Sequence, residues 1–203
     1  MSKKTETKES NKHERILQAA IKVFAGKGFF HARISDIAKE ARVADGTIYL
    51  YFESKYDILL SIFEEEVGKL IDDVKSRIDQ ETNPQRMLEI FASHHLSMMN
   101  RKTSLAEVIQ IELRQTNQKM KEYRNTRFSE YVNLVSTIIK QGQAEGIFRK
   151  DVKPGIAKRA FFGSLDEVSR VWTTPAPTSY EVEETARQVA SLFMNGLLDK
   201  KVS

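Results

Sequence analysis

The chain has 203 residues, 30% of them charged and 40% hydrophobic, with 32 Lys and Arg against 28 Asp and Glu and no cysteine. That length suits one small and one larger domain, each with its own core. The missing thiols exclude a disulfide framework and a thiolate zinc site. No apolar run approaches the roughly 20 residues that span a bilayer, and the first residues are too polar for a signal peptide, so the protein is expected in the cytoplasm.

Residues 1–12 read as a disordered, lysine-rich tail. The first 55 residues hold 11 Lys and Arg against 7 Asp and Glu, while the remainder is balanced. The whole positive excess therefore sits where phosphate neutralisation would use it. Residues 13–55 carry the most telling segment. Ile34, Ile37, Ala38 and Ala41 form one apolar face of a helix of about two turns. Ser35 reads as its N-cap, with Asp36 where the helix dipole favours a carboxylate. Arg42-Val43-Ala44 turns the chain, and a second helix starts at Ala44 or Asp45 with Ile48 and Phe52 inward.

Two short helices around a tight turn are the unit that offers a helix to the DNA major groove. Gly46 admits close backbone approach, and Thr47 brings a hydroxyl and a methyl to base edges. Tyr49, Tyr51 and Lys55 are expected to donate to phosphates, which position the protein without reading sequence.

From Ser54 onward the pattern is helical. A long helix to about Asp79 carries Leu59, Ile62, Phe63, Val67, Leu70, Ile71, Val74 and Ile78 on one stripe, and Glu64-Glu65-Glu66 reads as a solvated face. Pro84 opens the next helix, which bears Met87, Ile90, Phe91, His94 and Met98 and ends near residues 100–102. Further helices are expected over about 103–114, 117–145 with Gly146 as the stop, from Pro154, and over 180–198. Residues 173–179 are a loop by composition. Phe161 and Phe162 are adjacent and must face different ways, so one of them needs a partner beyond its own subunit. Phe161, Leu165, Val189 and Phe193 are accordingly expected in a four-helix dimer interface. His94 and His95 point about 100° apart on a helix and cannot share one ion, so no metal is expected. No nucleophile elbow, phosphate loop or catalytic carboxylate pair stands out, which argues against an enzyme.

The segment from Ile16 to Leu59 resembles the DNA-binding domain of the TetR (tetracycline repressor) family. The residues that carry the likeness are Ile16 to Ala20, Phe24, Gly26 to Phe29, Ile37-Ala38, Val43, Gly46 to Tyr49, Tyr51-Phe52 and Lys55. One departure is Arg33, where the family usually has Thr or Ser; a guanidinium can serve the same phosphate. The resemblance implies an all-α fold: a three-helix helix-turn-helix domain over 13–55, and a helical bundle over 56–203 for ligand binding and dimerisation. It also implies a homodimeric repressor on a palindromic double-stranded DNA operator. The DNA-facing set is Arg33, Ser35, Asp45, Gly46, Thr47, Tyr49, Tyr51 and Lys55.

Val43 to Phe52, Ile109 to Asn117 and Gly163 to Glu167 further resemble the Bacillus-type branch that represses fatty-acid degradation and releases DNA on binding long-chain acyl-coenzyme A. That likeness implies an acyl-CoA effector and no cofactor. An acyl chain needs an apolar tunnel, for which Phe91, Met98, Leu113, Phe128, Tyr131, Phe162 and Trp172 are available. The CoA phosphates need cations, offered by Arg101, Arg124 and above all Arg114, beside the polar Gln110 and Asn117. Any of these arginines can equally form a salt bridge, for instance to Glu112, Asp166 or Glu167. Pocket carboxylates such as Asp166 keep open a related repressor of efflux or stress genes that senses a hydrophobic drug-like molecule.

Overall fold

The computed structural model describes residues 2–112, 126–172 and 180–199. In chain order the helices are α1 Ser2–Lys27, α2 Ile34–Ala41, α3 Asp45–Ile48, α4 Lys55–Ile62, α5 Gly68–Ile78, α6 Pro84–Arg101, α7 Thr103–Glu112, α8 Thr126–Ala144, α9 Pro154–Ser169 and α10 Val182–Leu197. A π-helical turn, Phe63–Val67, follows α4, and a 3-10 turn, Arg170–Trp172, follows α9. The chain divides into two compact units, Met1–Val67 with Ser104–Arg124 and Gly68–Thr103 with Asn125–Ser203.

In the first unit α1 begins at Ser2, not after a disordered tail. No Gly or Pro interrupts residues 2–25, and each residue added to a helix already nucleated around Ile16–Phe24 gains a backbone hydrogen bond. α1 packs on α2 and α4, and α2 packs on α3. Ile16, Leu17, Phe24, Phe29, Ile37, Ile48, Phe52, Ile58 and Leu59 close this core, each worth about 1.5–3 kcal/mol of transfer free energy when fully buried. The N-cap of α2 is Arg33, not Ser35. Arg33 has no acceptor, so the Asp36 carboxylate reaches back to its backbone N–H at 3.0 Å. Lys27 donates to the other carboxylate oxygen at 2.6 Å and, with the Arg33 N–H, holds the Asp36 carboxyl below its ordinary range. At the far end of α2, Arg42 adopts φ 54°, a left-handed conformation that lets its N–H cap the helix.

The glutamate run is not a solvated face. Glu66 is buried and accepts from Gln18, and Glu65 is 2.6 Å from His13, so both serve α1.

In the second unit α6 packs on α5, α8, α9 and α10. Asn83 caps α6, its side-chain oxygen accepting from Gln85 N–H at 2.9 Å, with Pro84 in the first turn. Gly146, at φ 76°, ends the turn after α8 in a conformation that excludes most side chains. The chain then folds back so that the Phe148 ring lies against Gly142, where an added β-carbon would come within 2.6 Å of Phe148 Cε2. Phe148 pairs with Leu198 in an isolated antiparallel bridge, fixed by Arg149 N–H to Leu197 O at 2.8 Å and Asp199 N–H to Ile147 O at 3.1 Å.

Phe161 and Leu165 do not await a second subunit. Both are buried in their own subunit's core, with Phe161 against Phe193 at 5.0 Å and Phe91 at 6.3 Å between ring centres. Val189 is buried as well, and Phe193 is half-buried. Phe162, the other member of the pair, turns towards Phe128 and Tyr131. The large apolar side chains that α9 and α10 leave exposed are Ile156 (66%) and Leu192 (74%).

Candidate functional site

The first unit builds a helix-turn-helix. Val43 N–H bonds Ala38 O at 2.9 Å and Thr47 N–H bonds Ala44 O at 2.8 Å, which sets the turn and the first turn of α3. Ile48 and Phe52 anchor α3 to the core. That leaves Asp45, Gly46 and Tyr49 exposed, with Thr47 and Tyr51 half-buried. Arg33 and Ser35 are exposed at the start of α2. Arg42 is exposed at its end, beside the entry to α3, and was not singled out from sequence. Nothing short of its left-handed backbone marks it, since αL is uncommon for a residue other than Gly or Asn.

Lys55 occupies a different position from the one its charge implied. Its ammonium donates to Phe30 O at 3.1 Å and to Ala32 O at 2.8 Å, and lies 4.6 Å from the centre of the Phe29 ring. It ties the start of α4 to the α1–α2 connection. On the other flank His13 stacks on Phe52 at 4.9 Å and meets the Tyr51 ring edge at 6.2 Å, while bonding Glu65. The turn after α3 is thus held from both sides by residues outside the motif.

The second unit gathers aromatic rings between α6, α8 and α9. Phe91 and Tyr131 are 4.8 Å apart, Phe128 and Phe162 5.3 Å, and Tyr131 and Phe162 6.2 Å. His95 stands among them, 1% exposed, edge-to-face with Phe162 at 5.2 Å and stacked on Phe91. Its Nδ1 is 3.2 Å from the Tyr131 hydroxyl, and its Nε2 has no hydrogen-bond partner among the described residues. Burial pushes the His95 pKa down to about 3 and pushes the Tyr131 phenol up. Both are therefore neutral across the physiological range. Phe128 and Phe162 also line a surface depression of about 320 Å³ rimmed by Asn133, Lys158 and Arg159.

A second cleft, of about 730 Å³, lies along α5 and α6 and is lined by Lys69, Asp73, Arg77, His94, Met98, Arg101 and Lys102 among others. His94 is bonded to Asp73 at 2.9 Å. Burial lowers its pKa, with the Asp73 carboxylate opposing. The two adjacent histidines thus serve different surroundings.

Both units of that architecture match family models. Residues 16–62 match "Bacterial regulatory proteins, tetR family" and residues 63–196 match "YsiA-like protein, C-terminal region". The chain belongs to the tetR family. It is a DNA-binding transcriptional regulator with the family's all-helical fold, and not an enzyme. Among its relatives, the fatty acid metabolism regulator protein of Bacillus subtilis is 33% identical over 93% of this chain and 97% of its own length. The structure of the fatty acid degradation regulator FadR from Bacillus halodurans superposes with a TM-score of 0.84 at 34% identity, covering 91% of this chain and 95% of that one. FadR from Bacillus subtilis, solved in complex with stearoyl-CoA, superposes with a TM-score of 0.83 at 33% identity, covering 90% of this chain and 98% of that one.

Within this tetR-family chain the ligand residues expected from sequence divide. Phe91, Phe128, Tyr131 and Phe162 come together in the aromatic cluster. Met98 and Arg101 line the α5–α6 cleft. Asp166 is buried on α9, with its carbonyl accepting from the Ser169 hydroxyl at 2.7 Å, and Trp172 donates to Tyr180 O at 3.3 Å. Gln110 is buried in the other unit. Leu113, Arg114, Asn117 and Arg124 lie outside the described residues. Among the described residues no helix is long and apolar enough to cross a membrane. The pairing of His95 with Tyr131, 36 positions away, could not be read from sequence.

Proposed function

We propose that the protein is a homodimeric cytoplasmic repressor of fatty-acid degradation genes that leaves its palindromic operator when long-chain acyl-CoA binds. The observation that carries this reading is the similarity along the sensing half to a regulator solved with stearoyl-CoA, at 33% identity over 90% of the chain. The aromatic cluster agrees with it, since rings around one neutral polar group suit an acyl chain better than a charged ligand. In this reading Gly46 and Thr47 meet base edges. Arg33, Ser35, Tyr49 and Tyr51 meet phosphates, with Lys55 holding the α4 start that frames them, and Asp45 sits at the mouth of the recognition helix. Arg114 and Arg124 answer the CoA phosphates.

Two heads on successive major grooves must stand roughly 34–36 Å apart. A ligand releases DNA only to the extent that it binds another spacing better. The dimer contact is assigned to the exposed apolar side chains of α9 and α10, Ile156 and Leu192, which line a groove of about 580 Å³ with Phe193. A carboxylate or amide there would be solvated; these side chains gain only by being covered.

The test is a mobility shift on the promoter fragment that the protein protects, with palmitoyl-CoA, acetyl-CoA or free CoA added. Each methylene that stays in the pocket contributes about 0.8 kcal/mol, so release should steepen sharply with chain length. Equal response to acetyl-CoA and palmitoyl-CoA, or none to either, would overturn the acyl-CoA reading in favour of a drug-like effector.

A further inference from the structure

Resting on that acyl-CoA reading, we infer that His95 is the hydrogen-bond donor that receives the thioester carbonyl oxygen of the ligand, so that the site reads the acyl linkage and not only the length of the chain. Two geometric facts point to it. His95 is 99% buried among aromatic rings, and its Nε2 has no hydrogen-bond partner among the described residues. A buried polar atom left unpaired costs stability, and native structures pair nearly all of them.

The direction of the bond to Tyr131 fixes what Nε2 offers. If His95 Nδ1–H donated to the phenol oxygen, the phenol O–H and the Nε2 lone pair would both lack partners. If the phenol O–H donates to Nδ1, one unpaired group remains, an N–H on Nε2. The second arrangement leaves fewer unmet buried groups, and we assign it on that ground. Burial keeps the phenol protonated and the imidazole neutral, so neither partner changes charge near neutral pH. The site therefore presents one fixed donor and lacks an acceptor.

An acyl-CoA meets that need at a single atom of its acyl part. The chain beyond the thioester carries no acceptor, and the pantetheine amides and phosphates favour polar surroundings. His95 lies behind the ring that separates it from such surroundings. Phe162 packs edge-on to the imidazole at 5.2 Å and also lines the surface depression that Asn133, Lys158 and Arg159 rim. An acyl chain entering there must displace the Phe162 ring, which brings the ligand against Nε2. The alkyl tail then runs among Phe91, Tyr131 and Phe128, and the polar half stays towards the rim.

The experiment compares palmitoyl-CoA with S-hexadecyl-CoA, a thioether of nearly equal size without the carbonyl, by calorimetry on the intact protein. The wild type should bind the thioester about tenfold to hundredfold more tightly, the ratio expected when a buried donor loses its acceptor. His95→Leu should bind both alike, with the thioether affinity unchanged or improved. His95→Gln, which keeps an N–H donor, should restore part of the preference. Nitrogen NMR of His95 gives a readout that needs no variant: the free protein should show a protonated Nε2, and its resonance should move on adding the thioester but not the thioether. If the wild type binds both molecules equally, this inference falls while the acyl-CoA reading stands. If it binds neither, both fall.

Discussion

Replacing Lys55 with Met separates two roles that its charge alone would confuse. The ammonium makes hydrogen bonds of 2.8 and 3.1 Å to two backbone carbonyls and faces the Phe29 ring. Hydrogen bonds to charged groups are worth about 1.5–3 kcal/mol each when buried, and roughly half of that at a partly exposed site. The ring contact adds about 0.5–1 kcal/mol. Methionine keeps the apolar stem, so the expected loss is about 2–4 kcal/mol in the stability of the head. Urea unfolding followed by circular dichroism reads that loss as a fall in midpoint at unchanged slope. In parallel, the dependence of DNA affinity on salt should keep its slope, because a residue that holds carbonyls releases no counterion. A variant with wild-type stability and a slope reduced by about one would refute this account and restore Lys55 as a phosphate contact.

Arg42 sits at φ 54°, so Arg42→Gly should leave stability unchanged or raise it by up to about 1 kcal/mol, while lowering the salt slope of DNA binding if its guanidinium meets phosphate; a loss above that size in urea unfolding would contradict the backbone argument. Burial holds the His95 pKa at about 3, below its unfolded value of about 6.5. Its contribution is intact above pH 6.5 and is lost as pH falls from there towards 3, with a slope approaching 1.4 kcal/mol per pH unit; unfolding of His95→Leu between pH 6 and 4.5 should show a slope smaller by about one proton. Leu192→Glu should give a folded monomer in sedimentation, whereas Phe161→Glu should unfold the sensing unit, because the first carboxylate reaches solvent and the second cannot. A dimeric Leu192→Glu would move the subunit contact elsewhere.

The helix-turn-helix was legible because it is local: the apolar period, the turn and the polar face all lie within residues 34–52. What sequence misread were contacts made over longer distances. Lys55 looks like a free cation until the carbonyls of Phe30 and Ala32 arrive beside it, and Glu65 and Glu66 look solvated until His13 and Gln18 on α1 reach them. The adjacency of Phe161 and Phe162 states that the two rings diverge, but not which of them meets Phe193 and which Phe128. The aromatic residues of the sensing unit were identifiable by type and spacing. That they enclose a histidine with one idle nitrogen follows only from three-dimensional packing. Ser35 matches the usual hydroxyl preference for a cap, but the carboxylate of Asp36, one position on, does that work from inside the helix.

The ring of Phe148 resting on Gly142 binds two positions into one inheritable unit. A methyl group at 142 would collide with the ring, and a ring leaves no room for a methyl group, so neither position is free to drift while the other stays. Among descendants of this chain, glycine should persist at 142 wherever 148 is aromatic, and its loss should arrive together with a smaller residue at 148. Because Phe148 also pairs with Leu198, such a double replacement would loosen the seam that closes the C-terminal helix against its own bundle.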